Sequence, residues 1–251
     1  MRSRLHSVAI ATMWFLACVA ALTSARYFLR PPPLLLPNEI LALSRHHTWI
    51  LAHIAAGIVA ITVGMFQFVT RLRDAYPRVH RGMGYLYLSA VFLAGIVGLG
   101  LSSDTPLFAA DGLTELTTMD LSFLGLSPSF LGYSAFSKFS PNQFFLVRAG
   151  FTALAIAWLV TGFLAFTSAR HRRFEKHSAW MMRNYSLTLA AVTVRLAGLP
   201  LLVLTRDPVV AITCTFWSWI LNLGVIEWVI RHLPMSIALP PALGGEKSPL
   251  A

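Results

Sequence analysis

The sequence predicts an all-α integral membrane protein, a bundle of six transmembrane helices. Three observations carry that expectation. Of 251 residues, 56% are hydrophobic and only 12% are charged, about half the charge of a soluble domain. The apolar residues fall in blocks of about 20, long enough to cross the hydrocarbon of a bilayer. The blocks are continuous and lack the period-two alternation of a membrane barrel, so helices are what satisfies the backbone in lipid. A mean hydropathy of +0.66 also excludes a disordered chain, because there is ample apolar surface to bury.

The first span covers residues 7–25. Arg2 and Arg4 precede it and Ala-Leu-Thr-Ser-Ala closes it, a pattern shared with cleaved signal peptides. Its length with its flanks favours a retained helix; cleavage would leave five spans in the same orientation. The second and third spans cover 48–70 and 82–101. A long loop, 102–143, follows, with Asp104, Asp111, Glu115 and Asp120 against Lys138. Its second half, 121–136, is apolar but broken by glycines and Pro128, and reads as an interfacial or re-entrant cap or as a plain insertion. The remaining spans cover 144–168, 178–199 and 208–230. Residues 1–231 thus form one helical membrane domain. Residues 232–251, rich in proline and glycine, read as a flexible tail.

Charge placement sets the expected topology. With a cytoplasmic N-terminus, twelve cations, among them Arg71, Arg73, Arg78, Arg81, Arg170, Arg172, Arg173 and Lys176, fall on the inner side. Six fall outside: Arg26, Arg30, Arg45, Lys138, Arg148 and Arg206. The positive-inside rule then puts both termini in the cytoplasm and the chain in the cell (inner) membrane. The net charge of +10 is therefore a topology signal with attraction to anionic headgroups, not a nucleic-acid footprint. Cys18 and Cys214 lie apart inside apolar blocks and make neither a disulfide framework nor a thiolate cluster. No nucleophile motif, phosphate loop or HExxH occurs, so hydrolase and kinase readings have no support.

Ionisable residues inside a membrane are costly and mark candidate sites. Here they are His53 in the second span, His80 and His177 at the starts of the third and fifth, and Arg183 and Arg195 within the fifth. Glu227 lies near the inner end of the sixth, where Arg231, four residues on, accounts for it as an interfacial ion pair. Helical spacing puts His177, Met181, Asn184, Thr188 and Arg195 on one stripe. His80, Gly84, Tyr87 and Gly98 share another, and His53, Gly57, Gly64 and Gln67 a third. Faces of small and polar residues look toward other helices and away from lipid. Depth suggests two polar levels: an inner one with His80, His177 and Arg183, and an outer one with His53 and Arg195, just below His46 and His47.

Two histidines on different helices at one level can ligate a haem iron from opposite faces, given apolar walls, glycines at the ring and a cation for the propionates. Gly57, Gly64 and Gly84, with Tyr87, Trp180 and Tyr185, meet that description, and Arg183 and Arg195 supply the charge. Histidines also bind Zn, Cu or Fe without haem, usually with a carboxylate. Plainer roles exist for each residue: interfacial anchoring for His80 and His177, a cross-helix hydrogen bond for His53, snorkelling for Arg195.

The succession LAHIAAG (51–57), HRGMGY (80–85) and HSAWMMRNYSLTLAAVTVRL (177–196) resembles an uncharacterised bacterial membrane family known as domain of unknown function 2306. The likeness covers roughly residues 45–230, and the family name implies no activity. More distantly, the arrangement is similar to cytochrome b561-like di-haem membrane proteins, in which histidines on four consecutive helices make two bis-histidine sites. That likeness implies that His80 and His177, on the third and fifth spans, are axial ligands of a haem b. The second pair would need a histidine on the fourth span, and 144–168 has none.

Three functions follow as expectations. The first is a haem-b electron carrier, with His80 and His177 on the iron, Arg183 at the propionates, and His53 with Arg195 forming an outer site for a quinone or another redox partner. The second is a cofactor-free membrane protein that binds or moves a small molecule or assists assembly of a complex. The third is a membrane metalloenzyme using His53, His80 and His177.

Overall fold

A computed structural model describes residues 2–29, 37–103, 141–205, 210, 213–214 and 217–232 of the chain. Among these residues every regular element is helical. α1 spans Arg2–Ala25 and runs into a 3-10 turn, Arg26–Phe28. α2 spans Pro37–Phe66 and α3 is the short helix Thr70–Ala75. α4 spans Pro77–Ser103 and α5 spans Pro141–Arg170. α6 (Phe174–Thr188), α7 (Ala190–Thr205) and α8 (Trp219–His232) complete the order. The long loop and the tail read from the sequence lie outside the described residues.

Four described helices are long and apolar enough to cross a membrane: Ala11–Phe28, His46–Phe66, Pro77–Ser103 and Phe145–Arg170. They match the first four spans expected. α2 begins eleven residues earlier than its expected span and bends at His46, whose backbone leaves the helical region (φ −131°, ψ 40°). The fifth expected span is divided. α6 and α7 are separated only by Leu189, which keeps helical dihedrals and still donates its N–H to Tyr185 O at 2.9 Å. Beyond it the ladder tightens, with Val192 N–H donating to Leu189 O at 2.9 Å. Thr188 contributes to the break: it is β-branched, and its hydroxyl turns back on Asn184 O at 3.2 Å, a habit that bends helices. Asn222 of α8 spans the break, donating to Ser186 O at 3.1 Å and accepting from Thr193 Oγ1 at 2.9 Å. The sixth expected span falls partly outside the described residues.

α2, α4, α5 and α6 form a central four-helix bundle: α2 packs on α4, α4 on α5, α5 on α6, and α6 back on α2. α1 leans against α2 and α7, and α8 against α6 and α7. The seam of α1 is made of small residues, Ala17, Ala20 and Ala21, against Ile61 and Val192. The core, Ala56, Ala60, Met65, Tyr87, Val91, Ala94, Ala165, Met181 and Tyr185, sits inside the four-helix bundle. Its alanines let the helices approach closely, as membrane packing requires. The outward faces are the reverse: Phe15, Leu22, Leu93, Ile96, Phe145, Phe163 and Leu221 stand exposed. In water so much apolar surface would aggregate; it is the surface a bilayer covers.

The basic side chains of α3, the start of α4, the end of α5 and the start of α6 gather at one end of the bundle, the basic end. There α5 turns into α6 through three residues, His171–Arg173. Arg172 takes a left-handed conformation (φ 57°), and Arg173 N–H closes the turn on Ser168 O at 2.9 Å.

Candidate functional site

The basic end brings three polar side chains of the central bundle together. His177, one turn into α6, donates Nδ1–H to Ala165 O of α5 at 2.9 Å. A carbonyl can only accept, so that bond puts a proton on Nδ1, and in the neutral ring the lone pair is then on Nε2. His80, one turn into α4, is half-buried and lies within electrostatic reach of His177, Arg73 and Asp74. Its Nδ1 is buried and has no partner among the described residues. Gln67, just past α2, brings its carboxamide oxygen to 3.4 Å from the Cβ position of Gly84. Its Nε2 is likewise buried without a partner among those residues.

A second histidine level lies farther along the bundle from the basic end. His53 of α2 donates Nδ1–H to Ala94 O of α4 at 2.8 Å, again leaving Nε2 free. Its ring lies against α4 at Gly98, where a Cβ would stand 3.3 Å from it. From His80 to Ala94 is fourteen residues of α4, so the two levels are about 21 Å apart along the helix.

Between them lies a closed polar network. Tyr87 OH donates to Asn184 Oδ1 at 2.6 Å and shares a 3.0 Å bond with Thr188 Oγ1. Trp158 Nε1–H donates to the same Thr188 oxygen at 3.0 Å. Asn184 Nδ2 donates to Trp158 O at 2.7 Å and Thr161 Oγ1 at 2.9 Å. Every polar atom of Asn184 is thereby satisfied, as a fully buried amide demands. Tyr185 OH donates across to Ile61 O of α2 at 3.0 Å.

The two arginines are placed differently from the sequence expectation. Arg183 does not face the histidines as a lone cation. Its Nε and Nη2 donate to the two carboxylate oxygens of Glu227 on α8 at 2.9 and 3.0 Å, and its guanidinium lies 4.7 Å from the Trp180 ring centroid. Arg231, expected as the partner of Glu227, makes only a 3.5 Å contact and is 70% exposed. Arg195 is exposed and donates to Ala191 O at 2.6 Å and to Ser24 Oγ of α1 at 2.8 Å. It ties α7 to α1, in agreement with the small-residue seam there. His46 and His47 stand at the bend of α2, seven and six residues before His53.

Sequence reasoning did not foresee Trp158 and Thr161, or Glu227 as the mate of Arg183. Trp158 and Thr161 lie in an unbroken apolar run on a span without histidine. The 44 residues separating Arg183 from Glu227 leave no periodic trace, whereas Arg231 offers a conspicuous i, i+4 mate. Gln67 was legible only as a member of the His53 stripe.

Helices with lipid-suited exteriors and buried, hydrogen-bonded polar interiors define an all-α integral membrane protein. The family described as Predicted membrane protein (DUF2306) matches residues 50–130 and 121–230, which is most of the chain, and the chain belongs to that family. No curated protein and no solved structure matches it. Among the described residues no group of three His, Cys, Asp or Glu is placed to hold a metal ion. A haem asks less of the protein, because the porphyrin supplies four equatorial nitrogens and two imidazoles complete the iron. At the basic end the residues fit such a group in part: His177 is oriented with Nε2 free, His80 is at the same level, and nothing lies within 4 Å of a Cβ at Gly82. Arg183 is bound elsewhere, and Tyr87 and Tyr185 are packed into the core. At the other level His53 has no histidine on α5 to face it.

Proposed function

We propose that the protein is a membrane-embedded electron carrier that binds one haem b at the basic end, with His80 and His177 as axial ligands. The observation that carries this reading is the His177 Nδ1–H bond to Ala165 O, in a chain that has His80 within electrostatic reach on α4, the diagonally opposite helix of the bundle. Metal-bound imidazoles characteristically donate their other N–H to a carbonyl or carboxylate, which fixes the ring and raises its basicity. When bound, the haem would supply the one-electron chemistry. The chain would orient the two imidazoles and exclude water with the closed network beneath them. With the basic turns cytoplasmic, the site faces the cytoplasmic side of the inner membrane, and a quinone or a soluble protein would exchange the electron.

The test is an absorption spectrum of the protein purified in detergent from haem-replete cells. Soret and alpha bands in the reduced-minus-oxidised difference are expected. They are lost in His80→Ala and in His177→Ala and kept in His53→Ala. A colourless preparation overturns the reading.

A second reading drops the haem and keeps a small-molecule site at His53. It is favoured by the His53 geometry, with Nδ1–H tied to Ala94 O and nothing within 4 Å of a Cβ at Gly57, one turn along α2. A free imidazole nitrogen at that depth would accept a hydrogen bond from a quinol or a comparable amphipathic ligand. Retention of quinone by wild type and its loss in His53→Leu would support this reading; equal retention by both would sink it.

A further inference from the structure

α4 starts and α5 ends at the basic end, and the two helices pack side by side. Their 27 and 30 residues make about 40 and 45 Å of helix, against roughly 30 Å of hydrocarbon in a bilayer. The first turns of α4 and the last turn of α5 therefore stand among the headgroups. Just inside that level the rings of Tyr85 and Phe166 meet edge to face, their centroids 6.4 Å apart. This contact sets the register of the two helices. One turn from Tyr85 toward the basic end is Arg81, and one turn from Phe166 in the same direction is Arg170. Residues four apart share a helix face, so the two arginines flank one groove, on helix axes about 8–10 Å apart. Both are exposed. Arg81 spends only Nε–H, on Pro77 O at 3.3 Å. Among the described residues the ion pairs are those of Arg73, Arg183 and Arg231, so neither groove arginine meets a carboxylate there.

We propose that the α4–α5 groove at the basic end is a binding site for one anionic phospholipid: Arg81 and Arg170 hold its phosphodiester between them, and an acyl chain runs down the aromatic groove beneath. The walls below the arginines are Tyr85, Phe166 and Phe163, of which Tyr85 and Phe163 are each 55% exposed. Tyrosine at the boundary of a bilayer keeps its ring in apolar surroundings and its hydroxyl in the headgroups. Helical side chains lean toward the helix N-terminus, which for α4 is the basic end, so the Tyr85 hydroxyl is carried toward Arg81 as a third donor. Arginine forks match phosphate oxygens in pairs of hydrogen bonds. Two cations without a carboxylate call for a headgroup of net negative charge; the choline of a zwitterionic lipid would bring a positive charge back to them. An acidic peptide or a free phosphate would use the arginines and leave the aromatic walls uncovered. The assignment goes beyond the haem reading and does not rest on it.

The experiment is native mass spectrometry of the full chain in mild detergent, titrated with dioleoylphosphatidylglycerol or dioleoylphosphatidylcholine. Wild type is expected to retain one phosphatidylglycerol in preference to phosphatidylcholine. Arg81→Gln and Arg170→Gln each weaken phosphatidylglycerol binding roughly fivefold, and the double variant roughly 25-fold, on the scale of one surface cation against an anionic lipid. Arg71→Gln/Arg231→Gln removes the same charge from α3 and α8, outside the groove, and binds as wild type does. All four arginines are exposed, so the variants keep the bundle, and unchanged helicity checks this. Equal losses in the two double variants would reveal diffuse attraction of the whole basic end and overturn the site. Equal retention of the two lipids by wild type, or wild-type retention of phosphatidylglycerol by Arg81→Gln/Arg170→Gln, overturns it as well.

Discussion

The Tyr87 hydroxyl donates to Asn184 Oδ1 at 2.6 Å, joining α4 to α6 midway between the two histidine levels. Asn184 is the hub of the network: it accepts from Tyr87 and donates to Trp158 O and Thr161 Oγ1. Tyr87→Phe should therefore cost about 1 kcal/mol, the scale of an interhelical hydrogen bond in a membrane protein. Asn184→Leu leaves the Trp158 carbonyl and the Tyr87 hydroxyl without their amide partner and should cost about 2 kcal/mol. Unfolding in a detergent–SDS titration reads both. An Asn184→Leu variant as stable as wild type would show that the network adds nothing to the bundle.

The glycine pair on α2 gives a contrast in sign. A Cβ at Gly64 would stand 2.6 Å from the Tyr185 ring and 2.7 Å from that of Tyr87, while at Gly57 it would meet nothing within 4 Å. Gly64→Ala forces two buried rings apart and should destabilise by roughly 1–3 kcal/mol. Gly57→Ala should be neutral or stabilising by up to about 1 kcal/mol, because alanine is the better helix former. Thermal melts of the two variants side by side decide it; equal shifts would mean that the Gly64 contact is relieved at no cost.

Arg172 offers a gain of stability. Its left-handed backbone (φ 57°) burdens an L side chain by about 1–2 kcal/mol, and glycine carries no such burden. Arg172→Gly should raise stability by about 1 kcal/mol, and Arg172→Val should lower it, since a β-branched residue fits that region worst. Because this turn sets His177 of α6 against Ala165 of α5, the valine variant should also loosen the basic-end level. A melting temperature for Arg172→Gly below that of wild type would contradict the assignment of strain to this residue.

The sequence made the helices legible because lipid leaves a chain few options. Long apolar runs predicted the first four spans, and stripes of small and polar residues predicted the faces that hold His53 against α4 and His177 against α5. Two histidine levels followed from counting turns. What stayed hidden depends on partners distant in sequence. Trp158 and Thr161 sit in an apolar run that hydropathy treats as featureless, yet they close the hydrogen bonds of Asn184. The division at Leu189 comes with a Thr188 hydroxyl turned back on Asn184 O and an Asn222 side chain spanning it, contacts that hydropathy does not register. Arg195 had the right stripe for the histidines, but the bundle puts α1 beside α7, and Ser24 receives its guanidinium.

The pairing of Arg183 with Glu227 separates a structural arginine from one that serves a ligand. Nε and Nη2 of Arg183 are both used on one carboxylate, at 2.9 and 3.0 Å, and the flat of the guanidinium lies over Trp180. Arg183→Gln and Glu227→Gln should then lower stability by similar amounts, on the order of 1 kcal/mol for a partly exposed pair. The double variant should lose little more than either single one, because each substitution already breaks the same contact. Arg231→Gln should cost less than either, given its exposed 3.5 Å contact with Glu227. An arginine holding a ligand group predicts another pattern: Arg183→Gln would alter ligand retention while Glu227→Gln would not. Melting curves and absorption spectra of these four variants, from the same preparations, tell the two apart. A spectral change confined to Arg183→Gln would return that residue to the binding site.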